Sequence, residues 1–330
     1  MKTYLGVDGG GSKTTFVLID EQGEMLATHQ EGPAYYPEIG LDALHELLAR
    51  GIAATLAQGS VAPADLSYAF LGLPAHGEDS RLLARLDAMA APLLGPGQYR
   101  CGNDMVCGWA GALACSDGIN IISGTGSIAY GEFAGRSARA GGWGELFSDE
   151  GSAYWIAREG LNLFSRMSDG RAPGGGLHGI LRAHFALEND LDLCAAIYGA
   201  DQSWRSKLAQ LARLVAQAAQ VGDAQAAAIF TRGARELAAI VEATRARLSV
   251  PPGTALPVSF TGGMFNQTEL LLEPLQRALA ESGKAYDFVA PRLSPGCGAA
   301  LYAARCSGQA LGPAALARLE ARARSVPEGS

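Results

Sequence analysis

Two short glycine-rich segments in this sequence have the composition of loops that hold phosphate groups. Residues 8–14 read Asp-Gly-Gly-Gly-Ser-Lys-Thr, and residues 123–127 read Ser-Gly-Thr-Gly-Ser. Glycines let a backbone curl so that several N–H groups point at one anion, and hydroxyl side chains add further donors. Asp8 has the charge to hold Mg²⁺ through water. Each segment alone is also compatible with a tight hairpin turn that binds nothing.

A single aspartate, Asp104, lies between a strand-like run at residues 99–102 and an apolar, helix-like run at residues 105–114. A carboxylate beside the phosphate loops would be able to accept a proton from an attacking hydroxyl group. Aspartate is also common at helix N-termini, where its side chain accepts hydrogen bonds from backbone N–H groups. The pattern leaves both interpretations open.

A tryptophan surrounded by glycines, in residues 141–144, is followed by the acidic pair Asp149 and Glu150. An aromatic face covers the C–H surface of a sugar ring, and carboxylates accept hydrogen bonds from its hydroxyls, so this segment favours sugar recognition. The other interpretation is a loop before a helix that Ser148 caps, with both carboxylates in its first turn. The two interpretations are compatible with each other.

Two further glycines, Gly262 and Gly263, follow a late strand-like run. They would let a flat adenine ring lie close to the backbone. An ordinary turn between a strand and a helix is the simpler explanation of such a pair.

The elements that must position these residues follow an order that occurs twice. A strand, a glycine loop and a second strand open the chain, and the same arrangement returns over residues 118–133, which indicates an internal duplication. Hydrophobic spacing predicts strands and helices over the rest of the chain. The predicted strands are 4–8, 14–20, 24–29, 68–73, 99–102, 118–122, 128–133, 257–261 and 286–289. The predicted helices are 42–56, 79–94, 105–114, 267–280, 296–306 and 314–324, with a mostly helical region over 150–248.

Length and composition restrict the class of protein. The 330 residues suggest two domains. We place them at 1–116 and 117–306, with the closing helix at 307–330 packing back on the first. A net charge of −7 argues against general nucleic-acid binding. Neither a signal peptide nor an apolar run of membrane-spanning length is present, so we expect a cytoplasmic protein without a membrane partner. The six cysteines form no CxxC pair and are expected to be reduced thiols.

Taken together, the loops resemble those of the sugar-kinase, actin and heat-shock-chaperone ATPase superfamily. Within it, residues 122–127, 141–144 and 149–157 resemble the N-acetylglucosamine kinase branch, which is grouped with the BadF/BadG/BcrA/BcrD-type ATPases. The resemblance extends from Gly6 to about Arg305. It implies an α/β fold with two ribonuclease-H-like, actin-like ATPase domains around a central cleft that closes on the ligands.

The resemblance also implies roles for individual residues. Asp104 matches the general base, Asp8 holds Mg²⁺ through water, and the helix around residues 216–219 borders the nucleotide. The implied contacts to ATP come from Asp8, Gly9, Gly10, Gly11, Ser12, Lys13, Thr14, Gly124, Thr125, Gly126, Gly262 and Gly263. The implied contacts to the sugar come from Ser127, Gly142, Trp143, Gly144 and Asp149.

The reaction that the resemblance implies is ATP-dependent phosphorylation of an amino sugar, with N-acetyl-D-glucosamine and its 6-hydroxyl as the first expectation. Family members usually carry a sugar-binding Asn after the third strand, whereas residues 32–37 here read Gly-Pro-Ala-Tyr-Tyr-Pro. Glucosamine or another hexose derivative therefore stays open as the substrate. Many such kinases are dimers, so a homodimer also stays open.

Two other functions remain. An ATPase activator of a CoA-ester reductase or dehydratase shares the phosphate loops, and by family knowledge it holds an iron–sulfur cluster between subunits. This sequence has cysteines without an evident cluster pattern. A sugar-sensing regulator would need a DNA-binding element, and the sequence begins directly with the first phosphate loop.

Overall fold

The structure is a computed structural model that describes residues 1–199 and 204–325. The chain divides into two compact units. Unit 1 comprises Met1–Asn120 together with the chain from Ala290 onward, and unit 2 comprises Ile121–Val289. Each unit contains a five-stranded sheet with helices, so the predicted α/β class is confirmed.

The two sheets have the same internal order. In the first sheet the order is β3-β2-β1-β4-β5. In the second sheet, read from the β8 edge, the order is β8-β7-β6-β9-β10, so that β6 takes the central place of β1. The repeated strand, loop and strand pattern therefore corresponds to a duplicated sheet. The strands are β1 (Thr3–Gly9), β2 (Thr14–Asp20), β3 (Met25–Glu31), β4 (Tyr68–Leu73), β5 (Tyr99–Asn103), β6 (Gly118–Ser123), β7 (Ser127–Phe133), β8 (Arg136–Gly141), β9 (Leu256–Thr261) and β10 (Tyr286–Phe288).

Helices connect and cover the strands. None of those in the described part of the chain is both long and apolar enough to cross a membrane. The α-helices are α1 (Tyr36–Ile39), α2 (Leu41–Gln58), α3 (Leu83–Ala88), α4 (Ala91–Leu94), α5 (Met105–Leu113), α6 (Ala153–Ser168), α7 (Gly176–Phe185), α8 (Asp192–Tyr198), α9 (Trp204–Ala209), α10 (Ala212–Gln220), α11 (Ala224–Leu248), α12 (Glu273–Glu281), α13 (Pro295–Cys306) and α14 (Pro313–Ser325).

In unit 1, β1 pairs with β2 antiparallel and with β4 parallel, and β4 pairs with β5 parallel. Apolar residues of β1 and β2 lie in one core with the buried face of α2, including Leu44, Leu48 and Ile52. Their spacing of four residues places them on one side of the helix, as the sequence predicted. The parallel pairings place the C-terminal ends of β1, β4 and β5 at one edge of the sheet.

Two predicted elements differ from the structure. The helix predicted over residues 79–94 is divided into α3 and α4, because Pro92 lacks an N–H group and belongs in the first turn of a new helix. The helix predicted over residues 267–280 begins instead with a π-helical turn, Thr268–Leu272, before α12. Strand β8 was absent from the predicted elements, because its short Arg-Ser-Ala-Arg-Ala-Gly run lacks a clear apolar alternation.

Helix α13 also corrects the predicted domain boundary at residue 306, since it packs within unit 1 rather than unit 2. The Tyr302 ring lies edge-on to Phe70 of β4, with ring centroids 4.7 Å apart, and edge-on to Trp109 of α5 at 6.2 Å. The packing of α13 in unit 1 is not apparent from the order of the elements, because the chain leaves unit 1 at β6 and returns only after β10.

Candidate functional site

The first glycine loop is the connection between β1 and β2. The Gly10 N–H donates to the Lys13 carbonyl at 2.9 Å, which closes the turn. Gly11, Ser12 and Lys13 form its exposed tip. Asp8 lies just before the turn, near the end of β1. The loop therefore presents backbone N–H groups, one hydroxyl and one ammonium beside a carboxylate, which suits a phosphate with a cation.

The base of this loop is tied to the segment after β3. The Thr14 hydroxyl donates to the Gly32 carbonyl at 2.8 Å, and the Ala34 N–H donates to the Gly10 carbonyl at 3.0 Å. The sequence suggested Thr14 as a hydroxyl donor to phosphate, whereas its proton is used here inside the protein. Residues 32–37, which lack the Asn of the resemblance, thus lie directly against the first loop.

Asp104 lies between β5 and α5, at the same edge of the sheet as Asp8. In the sheet register Asp8 is opposite Gly72, and Gly72 is opposite Gly102. A Cβ atom at position 72 would lie 3.2 Å from the Asp104 Cα. Gly72 therefore lets the start of α5 pack closely against the end of β1.

Asn103, rather than Asp104, supplies the side-chain cap of α5. The Asn103 Oδ1 accepts a hydrogen bond from the Met105 N–H at 3.1 Å, and the Asn103 amide donates to the His76 carbonyl at 3.3 Å. Asp104 stands at the N-cap position of α5, as one interpretation predicted, but its side chain makes no capping hydrogen bond. The neighbouring amide satisfies the helix terminus, so the Asp104 carboxylate is not needed for that purpose.

Burial and the nearby carboxylate of Asp104 change the acid–base chemistry of Asp8. Burial, and then the charge of Asp104, raise the pKa of Asp8 to about 7, while the Cys107 thiol and Lys13 act in the opposite direction. Two carboxylates held close together disfavour the state in which both are ionised. A cation or a proton at this place relieves that repulsion.

This carboxylate pair fits Mg²⁺ better than it fits a fully protein-coordinated metal. Within residues 1–199 and 204–325, no group of three or more His, Cys, Asp or Glu side chains is arranged to hold a metal ion. Mg²⁺ usually keeps several waters and takes only one or two carboxylates plus phosphate oxygens. The charge on Asp8 and Asp104, beside a phosphate-type loop, meets that requirement.

The second glycine loop joins β6 to β7 in unit 2, and it is fixed to the N-terminus of α6. The Gly124 N–H donates to the Gly126 carbonyl at 2.9 Å, and the Ala153 N–H donates to the Gly124 carbonyl at 2.8 Å. Thr125 lies exposed at the tip. The Ser127 hydroxyl donates to the Glu150 carbonyl at 2.7 Å, so its oxygen retains only acceptor capacity.

Asp149 is held beside this loop in a strained conformation. Its φ is +60°, its side chain is buried, and its Oδ1 accepts from the Ser127 N–H at 3.4 Å. Positive φ at a residue other than glycine costs free energy and persists where the surroundings enforce it.

The N-cap of helix α6 is Ser152, whose hydroxyl accepts a hydrogen bond from the Trp155 N–H at 3.2 Å. The alternative in which Ser148 caps the helix is therefore wrong.

The pair Gly262–Gly263 lies against the second loop. Gly262 has a φ of +103°, and a Cβ atom there would lie 2.3 Å from the Ser123 carbonyl oxygen. Gly262 thus permits a close backbone approach between β9 and the second loop. Gln220, at the end of α10, donates to the Gln267 side chain at 3.3 Å, so α10 reaches the segment after the glycine pair.

The loop between β8 and α6 carries the sugar-type motif. The Arg139 guanidinium donates to the Gly142 carbonyl at 2.7 Å and fixes the base of the loop. The Trp143 and Phe147 side chains are 70% and 73% exposed. Together with Glu150 and one face of α11 that includes Ile240, they line an open groove of about 410 Å³. Exposed aromatic faces beside a carboxylate are suited to a sugar ring.

Comparison with known proteins agrees with this geometry. The chain matches the BadF/BadG/BcrA/BcrD ATPase family over residues 5–303. It belongs to that family. The family description names an ATPase.

Among curated proteins, the chain is 29% identical to an N-acetyl-D-glucosamine kinase of Dictyostelium discoideum, over 91% of this chain and 97% of that protein. It is also 29% identical to an N-acetylmuramic acid/N-acetylglucosamine kinase of Clostridium acetobutylicum, over 84% and 90% of the two chains. A solved candidate N-acetylglucosamine kinase from Chromobacterium violaceum superposes with a TM-score of 0.73 at 25% identity, covering 91% of this chain and 98% of that one. The relatives are thus matched along nearly their whole length.

Three residues of the site were missed by the sequence analysis. Gly72 permits the approach of α5 to β1, Asn103 caps α5, and Cys107 is a buried residue of α5 whose Sγ lies 3.6 Å from the Val7 carbonyl oxygen of β1. Asn103 could have been found from the sequence, because asparagine is as common as aspartate at helix N-termini and it immediately precedes Asp104. Gly72 and Cys107 depend on pairing between distant segments and have no local signal.

Proposed function

We propose that this protein is an ATP-dependent sugar kinase that transfers the γ-phosphoryl group of ATP to N-acetyl-D-glucosamine, at the 6-hydroxyl. The observation that carries the proposal is the placement of Asp104 beside Asp8 at one sheet edge. The near full-length relationship to two kinases that act on N-acetylglucosamine supports the choice of substrate.

In this proposal Asp104 is the general base. The 6-hydroxyl of the sugar donates a hydrogen bond to the Asp104 carboxylate, which orients the oxygen for in-line attack and takes its proton late in the step. A carboxylate suits this role, because phosphoryl transfer needs positioning more than it needs a strong base. Since Asn103 caps the helix, Asp104 is able to act on substrate without loss of the helix terminus.

Asp8 and the first loop act on the phosphate groups. The N–H groups and side chains of residues 11–13 would bind the phosphates, and Asp8 would hold Mg²⁺. When bound, Mg²⁺ would supply charge neutralisation at the phosphate oxygens. In unit 2, the tip of the second loop at Thr125 and the backbone at Gly262 and Gly263 take the nucleotide, with α10 bordering it.

The sugar is bound by the loop between β8 and α6. The Trp143 indole covers the apolar C–H surface of the ring, and Asp149 accepts hydrogen bonds from sugar hydroxyls. Because residues 32–37 lack the Asn of the resemblance and pack against the first loop, free glucosamine is the second candidate acceptor.

Sugar-dependent release of ADP tests this function. Purified protein is incubated with Mg-ATP and, separately, N-acetylglucosamine, glucosamine, N-acetylmannosamine, N-acetylmuramic acid and glucose. The proposal predicts ADP release that requires N-acetylglucosamine. Slow release that no sugar stimulates contradicts it, and brown colour under anaerobic conditions would then support the activator ATPase.

A further inference from the structure

Residues 149–152 form a tight turn that leads into helix α6. The Ser152 N–H donates to the Asp149 carbonyl at 3.1 Å, which closes the turn. Asp149 has a φ of +60° and Gly151 a φ of +77°. Glycine adopts such a conformation freely, whereas it costs free energy at an aspartate, which keeps it only where the surroundings enforce it. The position of the Asp149 carboxylate therefore depends on the groups that hold this turn.

The buried hydroxyl of Ser123 is one of these groups. Ser123 ends β6, its side chain is fully buried, and its hydroxyl donates to the Gly151 carbonyl at 2.9 Å. The preceding carbonyl, that of Glu150, accepts the Ser127 hydroxyl at 2.7 Å. The two peptide carbonyls that follow Asp149 are thus both fixed by hydroxyl groups of the strands β6 and β7.

Helix α11 restricts the same turn by packing. A Cβ atom on Gly151 would lie 2.7 Å from the Gly233 carbonyl oxygen and 2.6 Å from the Leu237 Cγ, so the backbone at Gly151 lies directly against this helix. The turn is therefore packed on α11 and joined to β6 by a hydrogen bond. Replacement of Ser123 by alanine removes that hydrogen bond and leaves the packing of Gly151 on α11 unchanged.

We propose that Ser123 is a positioning residue for Asp149: its hydroxyl holds the turn in the conformation that presents the Asp149 carboxylate to the sugar hydroxyls. This inference rests on the proposed function for the identity of the sugar. Ser123 acts through Asp149 and takes no part in proton or phosphoryl transfer. Without its hydroxyl, the Gly151 carbonyl loses a donor and the turn is free to release the positive φ of Asp149, which moves the carboxylate.

Binding of each ligand alone provides the first test. Titration calorimetry measures the Kd for N-acetylglucosamine and, separately, the Kd for Mg-ADP. In Ser123→Ala we expect the Kd for the sugar to rise about fivefold, because one buried hydrogen bond no longer holds the turn. The Kd for Mg-ADP should stay within about twofold of wild type, since the hydrogen bond from the Gly124 N–H to the Gly126 carbonyl still closes the second loop. Equal changes in both Kd values would indicate a general loss of structure and overturn the inference.

Ser259 offers a matched control in the same unit. It lies in β9 and is fully buried, and no group in the described part of the chain hydrogen-bonds its hydroxyl. Ser259→Ala therefore removes an equally buried hydroxyl without loss of a hydrogen bond to the turn, and we expect wild-type Kd values. A wild-type Kd for the sugar in Ser123→Ala, or an equal rise in Ser259→Ala, overturns the inference.

Hydrogen exchange observes the turn without any ligand. The N–H groups of residues 152–154 donate to carbonyls of the turn or of the second loop. In Ser123→Ala we expect these amides to exchange about fivefold faster than in wild type, because the segment opens more readily. Ser259→Ala should leave their exchange unchanged. Unchanged exchange in Ser123→Ala overturns the inference. Faster exchange in Ser123→Ala, combined with no sugar binding by wild type, would instead contradict the proposed function alone.

Discussion

The Asn103 side chain caps helix α5 by accepting the Met105 N–H at 3.1 Å, immediately beside Asp104. The side chain that stabilises the helix terminus and the carboxylate proposed as the base therefore belong to two adjacent residues. Substitution of Asn103 should affect folding, whereas substitution of Asp104 should affect the reaction.

Asp104→Asn is expected to lower kcat by at least about 100-fold, because the amide cannot accept the proton of the sugar hydroxyl. Binding of ATP should remain, since the cap of α5 and the first loop are unchanged. Steady-state rates of ADP release and calorimetric ATP binding provide the two measurements. Asn103→Ala is the matched control for the helix terminus, and it should lower stability by about 1 kcal/mol. Near-normal turnover by Asp104→Asn would remove this residue from the role of base.

Asp8→Asn is expected to stabilise the ligand-free protein at pH 8. The pKa of Asp8 is about 7 in the folded protein and near 3.8 in an ordinary environment. Because the folded state holds this proton more tightly, the stability it contributes is complete below about pH 4 and is lost as the pH rises to about 7. The neutral amide avoids that loss, so we expect a gain on the order of 2–4 kcal/mol at pH 8 that shrinks towards pH 5.

Thermal or urea unfolding of both proteins between pH 5 and pH 8 measures this difference. The same substitution should abolish the Mg²⁺ enhancement of ATP binding, so the variant is more stable and less functional. A difference in stability that is constant across the pH range would contradict the raised pKa of Asp8.

Gly262→Ala is expected to destabilise the protein and to weaken ATP binding. The residue has a φ of +103°, and the added Cβ would meet the Ser123 carbonyl oxygen at 2.3 Å. A strained backbone of this kind costs roughly 1–3 kcal/mol, and relief of the contact must displace the second loop. The neighbouring Gly263 is a matched control for stability, because a Cβ atom there would have open space. Equal melting temperatures for Gly262→Ala and wild type would contradict the close approach.

Trp143→Ala is expected to raise the KM for the sugar by about fivefold, because the loss of an aromatic face removes on the order of 1 kcal/mol of contact. The affinity for ATP should not change. Leu146, which is 74% exposed on the same loop, provides the comparison, since Leu146→Ala removes a large apolar side chain outside the sugar-type motif. Equal increases in the KM for the sugar and in the KM for ATP in Trp143→Ala would argue for a general loss of loop structure.

Much of the architecture was predictable from local pattern. The first strand, glycine loop and second strand alternate apolar and turn-forming residues strongly enough to indicate both the hairpin and its repeat after residue 117. The division of residues 79–94 into two helices was also accessible, because Pro92 carries its own signal. These features depend on residues that are neighbours in sequence.

The remainder depended on contacts between distant segments. Nothing local distinguishes Ser148 from Ser152 as a cap, since both precede acidic or apolar residues that suit a first turn. The return of α13 to unit 1 is fixed by packing of Tyr302 on Phe70, which no neighbouring residue indicates. The approach of Asp8 to Asp104 likewise requires the pairing of β1 with β4 and of β4 with β5.

Phosphorus–proton correlation NMR of the product from Mg-ATP and N-acetylglucosamine is the decisive test of phosphorylation at the 6-hydroxyl with Asp104 as base. We expect a phosphorus signal coupled to the two protons on C6, present with wild type and lost with Asp104→Asn. Inorganic phosphate as the sole product, or phosphorus at another position of the sugar, would contradict it.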